Sequence, residues 1–328
     1  MLNAAPLISS ATQDLAALLK AAGDDLRLGV LQVLATDSYG VLELAQAFGV
    51  KQSGISHHLK VLATAGLVST RREGNSIFYR RAPIDPSDAL AVAKNAIFAQ
   101  VDALPQSPII EQALATLWHE RTQTSHQFFI ENAHKFKAQQ DLIASFDVYG
   151  NQVAELLTLT QTPNNALALE IGPGEGEFLP ILAQRFAQVH AFDTSPTMLA
   201  KAQQAVCHLN NVALQQGDTR ALATLKNVDC AIINMVLHHT PSPAQVLADV
   251  SKTLAEGGVL FITELCSHQQ TWARDACGDI WLGFEPDDLQ RWAKSSGLLL
   301  GQSTYFALRN GFQIQIQQFF KQLLTHPA

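Results

Sequence analysis

Apolar residues recur at helical spacing near the start of the chain, at Leu15, Leu18, Leu19, Leu26, Leu28, Leu31 and Leu34, and Gly23 interrupts the run. The spacing predicts two helices with a break at the glycine. A short helix is predicted over 41–48, closed by Gly49. Over 52–67, Ile55, Leu59, Leu62 and Leu67 share one face, and Ser53, Ser56, His57, His58 and Lys60 occupy the other. Residues 67–72 and 76–80 then read as two strands around Glu73-Gly74-Asn75, a hairpin with arginines on both sides. Short helix, tight turn, polar-faced helix and hairpin together predict a helix-turn-helix with a wing.

Pro105 and Pro108, with Gln106 and Ser107 between them, end the next helical stretch. Helical spacing resumes over 109–159, with Phe128, Phe129, Ala133, Phe136 and Phe146 in its apolar set. From 166 the period changes. An apolar strand over 166–171 runs into Gly172-Pro173-Gly174-Glu175-Gly176, a helix follows over 178–186, and a second strand over 188–193 ends in Asp193. Further strands are predicted before Gln216, over 229–234 and after Glu256-Gly257-Gly258. Two terminal strands, 298–307 and 312–319, are predicted to join across Asn310-Gly311. Strands alternating with helices predict a mostly parallel α/β sheet.

The chain has 328 residues, 47% hydrophobic and 16% charged, which suits two packed domains and a connector. The expected division is 1–95, 96–158 and 159–328. No apolar run reaches the roughly 18 residues of a membrane span. Residues 1–7 carry no basic, then apolar, leader, so no membrane association and a cytoplasmic location are expected. The net charge of −7 lies wholly beyond residue 90, because the first ninety residues hold eight basic and eight acidic side chains. Arg71, Arg72, Arg80 and Arg81 concentrate base in one stretch, as phosphate contact requires. The four cysteines form no C-x-x-C pair and none precedes Cys207. Thiolate metal sensing in the first domain is therefore unsupported, and no metal ligands are expected.

The stretch 14–81 resembles the ArsR/SmtB family of bacterial repressors, on Gln52-Ser53-Gly54-Ile55-Ser56-His57-His58-Leu59-Lys60-Val61-Leu62, on Ala65-Gly66-Leu67-Val68 and on the wing. The resemblance implies binding of a double-stranded operator by a homodimer. Gln52, Ser53, Ser56, His57, His58 and Lys60 would contact DNA from the helix, and Arg71, Arg72, Asn75, Tyr79 and Arg80 from the wing. The first helix and the segment 89–101 are the expected dimer surface.

A strand, a glycine loop, a helix and a strand ending in acid form a nucleotide-binding unit. The dinucleotide pattern G-x-G-x-x-G fails in both registers, where Glu177 and Leu179 stand in place of the third glycine. The loop reads E-x-G-x-G-x-G from Glu170 to Gly176, and its acids suit a cationic ligand. The region 159–328 resembles class I S-adenosylmethionine (SAM)-dependent methyltransferases, Rossmann-like domains with a seven-stranded, mostly parallel sheet. SAM is the implied cofactor, held by Glu170, Gly172, Pro173, Gly174, Gly176, Asp193, Thr194, Ser195, Met198, Asp218, Thr219, Asn234 and Met235. Asp193 would take the ribose hydroxyls and Asp218 the adenine amino group. His238 and His239 are candidate general bases, and Trp281–Phe284 is expected on the substrate side. The readings left open are methyl transfer to an unidentified small acceptor and a repressor that senses SAM or S-adenosylhomocysteine (SAH) with an idle domain. A third, more weakly supported reading is arsenite methylation through Cys266 and Cys277.

Overall fold

The computed structural model describes residues 9–73, 76–132, 134–163 and 165–322. The chain divides into two compact units, Met1–His119 and Glu120–Ala328.

The first unit opens with α1 (Ser10–Ala22) and α2 (Asp25–Val33). Each helix starts where a side chain satisfies a free backbone amide, Ser9 accepting from Thr12 N–H and Asp24 from Arg27 N–H. A two-residue strand β1 (Tyr39–Gly40) leads into α3 (Val41–Ala47), then α4 (Gln52–Thr64), β2 (Val68–Glu73), β3 (Ser76–Arg81) and α5 (Ala91–Asp102). Helix α6 (Pro108–Asn132) begins in this unit. The sheet order is β1-β3-β2, all antiparallel.

Two details depart from the sequence expectation. Helix α4 stops at Thr64 because Gly66 takes a left-handed φ of 66° and turns the chain, so Leu67 is buried at the entry to β2 and not on the helix face. Strand β1 was not anticipated. Two residues carry no period, and the strand forms because Tyr39 pairs with Tyr79 while its hydroxyl accepts from Trp118 Nε1 at 3.0 Å. Leu18, Leu31, Leu44, Ile55, Leu59 and Leu62 make one core, and Val101 of α5 with Leu114 and Leu117 of α6 complete it.

The second unit continues with α7 (Phe136–Ile143), α8 (Phe146–Leu159), β4 (Leu167–Ile171), α9 (Leu179–Arg185), β5 (Gln188–Asp193), α10 (Pro196–Val206) and β6 (Val212–Gln216). It ends with β7 (Val228–Asn234), α11 (Pro243–Thr253), β8 (Leu254–Leu265), α12 (Trp272–Cys277), α13 (Pro286–Ser295), β9 (Leu298–Ala307) and β10 (Gln313–Lys321). These strands form a seven-stranded sheet in the order β6-β5-β4-β7-β8-β10-β9. The first five are parallel, and β10 runs antiparallel to both its neighbours. Central strands of a parallel sheet are covered on both faces, hence the unbroken buried run from Cys230 to Asn234.

The glycine pair before the fifth strand lies inside β8. Val228 pairs with Leu254 but Cys230 with Val259, and the extra residues bulge through Gly257 at φ 74°. The terminal hairpin closes through five residues, 308–312, and not a two-residue turn. Asn310 acts there as an anchor, its amide donating to the carbonyls of Leu142 and Ile143 at 2.8 Å. Among the described residues no helix is long and apolar enough to cross a membrane.

Candidate functional site

In the first unit, α4 presents Gln52, Ser53, His57 and Lys60 to solvent. Ser56 hydrogen-bonds back to the Gln52 carbonyl at 2.8 Å, which engages its hydroxyl within the helix. His58 turns toward the start of α2. Its Nδ1 lies 3.3 Å from Arg27 Nη1 and 3.5 Å from Asp24, so it braces two helices and does not stand in the exposed row. On the wing, Arg71 pairs with the buried Glu73, Arg72 is exposed and Arg80 Nε reaches Ser69 Oγ at 3.4 Å. Tyr79 is half-buried opposite Tyr39 and Thr70. Asn75 lies outside the described residues. Arg81, counted with the basic stretch, instead ties the base of the wing down. It donates to the Leu31 carbonyl at 2.7 Å, pairs with Asp102 at 2.5 Å and covers the Phe98 ring.

In the second unit the glycine loop leaves β4 at the carboxyl edge of the parallel strands, the edge at which α/β sheets bind ligands. Gly172, Gly174 and Gly176 all have left-handed φ, at 64°, 56° and 86°. A side chain at Gly172 would strike Val236 at 2.6 Å, and one at Gly176 would meet Ala202 at 3.1 Å. Around Gly174 nothing lies within 4 Å, so the backbone there is open to an approaching ligand. Pro173 is buried, and its carbonyl accepts from Gly176 N–H at 2.8 Å.

Glu170 on β4 is buried with no hydrogen-bond partner on Oε2 among the described residues, and burial pushes its carboxyl up to about 8. The side-chain amide of Asn234, at the end of β7, is likewise buried with both polar atoms unpartnered. Buried polar groups are normally hydrogen-bonded, and a cluster of exceptions marks where an outside group is needed. Met235 beside it holds a positive φ of 56°, the kind of local strain that gathers at ligand sites. Asp193 closes β5. Burial raises it to about 6, while backbone N–H bonds from Ser195, Gly174 and Thr194 oppose the rise. Glycines, orphaned amide and carboxylates thus form a cradle suited to a ligand with amino and hydroxyl groups.

Other predicted contacts have structural work within the fold. Ser195 caps α10 by accepting from Met198 N–H, Met198 is buried, and Thr194 is exposed. Asp218 caps the turn after β6 and pairs with Arg220 at 2.6 Å. Burial alone would raise its carboxyl, but the Arg220 bonds hold it below its ordinary range. Thr219 Oγ1 bonds Asp249 at 3.0 Å. The acidity attributed to the loop is also reduced, because Lys201 pairs with Glu175 at 2.7 Å and Lys137 with Glu177 at 2.5 Å. Trp281, Leu282 and Phe284 are buried core, with Gly283 forced by the Cys266 carbonyl.

His238 and His239 follow β7 in a 3₁₀ turn, Leu237–His239, and neither is open to solvent. Glu264, buried at the end of β8, bonds both the backbone N–H and Nδ1 of His238. Burial alone would lower His238, but the carboxylates of Glu264 and Asp279 raise it to about 9. Burial and the adjacent His238 charge drive His239 well below its ordinary value. Phe129 and Phe136 wall His239 with ring centroids 5.1 and 5.8 Å away. Asp279 joins this group although no sequence spacing connects it to the histidines. Tyr149 of α8 was also missed. Its phenol is raised by burial and then by the carboxylates of Glu177, Glu170 and Glu264.

Two family models match the chain: "Bacterial regulatory protein, arsR family" over residues 24–70 and "Methyltransferase domain" over 169–262. The HTH-type transcriptional regulator NmtR of Mycobacterium tuberculosis is 43% identical over 75 residues, 23% of this chain and 62% of that protein. The biofilm growth-associated repressor of Agrobacterium fabrum is 38% identical over 93 residues, 28% of this chain and 79% of that repressor. In the second unit, the trans-aconitate 2-methyltransferase of Methylobacterium nodulans is 32% identical over 111 residues, 33% of this chain and 42% of that enzyme. Of NmtR and the methyltransferase the chain thus spans less than two thirds. With a repressor matched over most of its length and both models in sequence, the chain belongs to the arsR family of bacterial regulatory proteins and carries a methyltransferase domain behind its helix-turn-helix.

Proposed function

We propose that this protein is a homodimeric, operator-binding transcriptional regulator whose second domain binds SAM and transfers its methyl group to a small acceptor. The observation that carries the cofactor reading is the loop 172–176, with three left-handed glycines, Gly174 open on one side, and the unpartnered Glu170 and Asn234 beside it. These residues fit SAM. Asp193 would accept from the ribose hydroxyls, Asn234 would bond the amino-acid end, and Glu170 would offset the cationic part. Bound SAM supplies a methyl group on a sulfonium. The chain's own part is to hold and orient the ligand. Asp218, engaged by Arg220, meets the adenine only by sharing that pair.

DNA binding rests on the exposed row Gln52, Ser53, His57 and Lys60, and on Arg72 and Arg80. Half-sites one helical turn apart call for a dimer.

One observation supports the second reading, sensing by an idle domain. His238 is clamped by Glu264 and His239 is walled by aromatics, so neither meets an acceptor as a base. Arsenite is disfavoured, because Cys266 and Cys277 are both buried.

Calorimetric titration with SAM and with SAH, with and without promoter DNA at fixed salt, tests the reading. A change of ligand affinity with DNA supports coupled domains, as linkage requires. No binding of either ligand sinks the cofactor assignment.

A further inference from the structure

We propose that the second unit holds a divalent transition-metal ion, zinc foremost, between His238, His239 and Asp279. Nε2 of His238 lies 3.9 Å and Nδ1 of His239 3.7 Å from the same oxygen, Oδ1 of Asp279. One donor atom from each residue falls within 4.8 Å of the others, and all three residues are buried. Two imidazole nitrogens and a carboxylate oxygen are the donor set of zinc and its first-row neighbours. Bonds of roughly 2.0–2.2 Å put tetrahedral donors about 3.3 Å apart, so each histidine nitrogen need close on Asp279 by only about half an ångström.

The surroundings are those of a ligand set. Glu264 takes the proton side of His238 at Nδ1 and leaves Nε2 as the lone-pair nitrogen, the role of the outer carboxylate that orients a metal-bound histidine. That Nε2 has no hydrogen-bond partner among the described residues. Besides Asp279, Nδ1 of His239 has a long contact, 3.3 Å, to the Gly278 carbonyl, and metal binding would place its proton on Nε2. The strand ends are held before any ion arrives. The His238 carbonyl accepts from Ile280 N–H at 2.8 Å and Trp281 N–H at 3.1 Å, and Trp281 Nε1 donates to the Thr240 carbonyl at 2.8 Å. The segment bearing Asp279 is thereby pinned to the turn bearing both histidines. Three protein donors leave one position on the ion, the arrangement that separates reactive zinc sites from closed structural ones. The proposal does not rest on the cofactor reading. Its rival is a metal-free ion cluster, with an imidazolium of His238 between Glu264 and Asp279.

The test uses the full chain stripped with chelator, dialysed, and titrated with Co²⁺ alone while d–d absorption is followed, then with Zn²⁺. Saturable, stoichiometric Co²⁺ bands that Zn²⁺ abolishes, with a rise in unfolding temperature, are expected. Asp279→Asn and His239→Gln, each checked for native circular dichroism, should weaken Co²⁺ binding by about tenfold or more. The double variant His57→Ala/His58→Ala in the other unit should not. Absence of Co²⁺ bands together with no Zn²⁺ effect on unfolding overturns the proposal in favour of the ion cluster. Binding unchanged by Asp279→Asn and His239→Gln overturns it as well.

Discussion

Both oxygens of the Glu264 carboxylate are committed to His238, one at the imidazole Nδ1 and the other at the backbone N–H, 3.0 Å away, in a site closed to water. The pair joins the end of β8 to the turn after β7, and the Leu265 N–H adds a third donor to the same carboxylate. Removing one member strands the others without solvent. Glu264→Ala should therefore destabilise the chain by about 3–5 kcal/mol, the range for breaking a buried pair from one side. Denaturant unfolding of the purified variant measures it, and a loss under 1 kcal/mol would show that water replaces the carboxylate.

Ligand affinity should depend on pH through two carboxyls. Burial holds Glu170 up to about 8, so the free protein carries its proton at pH 7, whereas a cationic ligand favours the carboxylate. Binding then releases a proton, and affinity climbs with pH until about 8. Asp193, raised to about 6, must be ionised to accept from hydroxyls, so affinity falls again as pH drops through 6. The logarithm of affinity should rise by about one unit per pH unit between 6 and 8 and more steeply below. Glu170→Gln should remove the upper limb, and Asp193→Asn should remove the lower limb with a loss of roughly 10–150-fold at pH 8. Titration of SAM in buffers of different ionisation enthalpy counts the proton. A flat profile would mean that neither carboxyl meets the ligand.

Much of this arrangement was legible in the sequence. Leu59 and Leu62 announced the core face of α4, and the run of glycines from Gly172 announced a loop in the left-handed backbone that other residues adopt only with strain. What was not legible depends on distant pairing. His58 reads as a DNA contact on a helical wheel, and only the packing of α2 brings Arg27 and Asp24 against it. Glu175 reads as a free acid until Lys201 of α10 comes within 2.7 Å. Asp279 lies some forty residues from the histidines it meets, and no period or motif links them. Asn310 gave a true turn signal for a different reason, since its side chain anchors the hairpin to α7.

The DNA-facing residues should separate by salt and by sequence. Lys60→Ala and Arg72→Ala should each weaken binding to any duplex and reduce the slope of log affinity against log salt by about 1, as loss of one phosphate contact does. His57→Ala should alter preference among operator sequences. His58→Ala should leave both slope and preference unchanged and instead lower the stability of the first unit, because its ring braces α4 against Arg27. Fluorescence anisotropy at several salt concentrations decides, and a changed slope for His58→Ala would return that residue to the interface.

Gly172 and Gly174 share a left-handed backbone but differ in what surrounds them, which allows folding and binding to be pulled apart. A methyl at Gly172 would sit 2.6 Å from Val236 Cγ2, so Gly172→Ala should combine backbone strain with a clash and destabilise the fold by several kcal/mol. At Gly174 the added methyl meets nothing within 4 Å, which leaves only the left-handed cost of about 1–2 kcal/mol. The methyl then occupies the open side of the loop, where a ligand must approach the backbone. Gly174→Ala should accordingly keep its unfolding transition within a few degrees of the parent, while affinity for SAM and SAH drops together by at least about tenfold. Scanning calorimetry and isothermal titration on the same preparation check both halves. Retained affinity in Gly174→Ala would mean that the ligand does not lie against this loop.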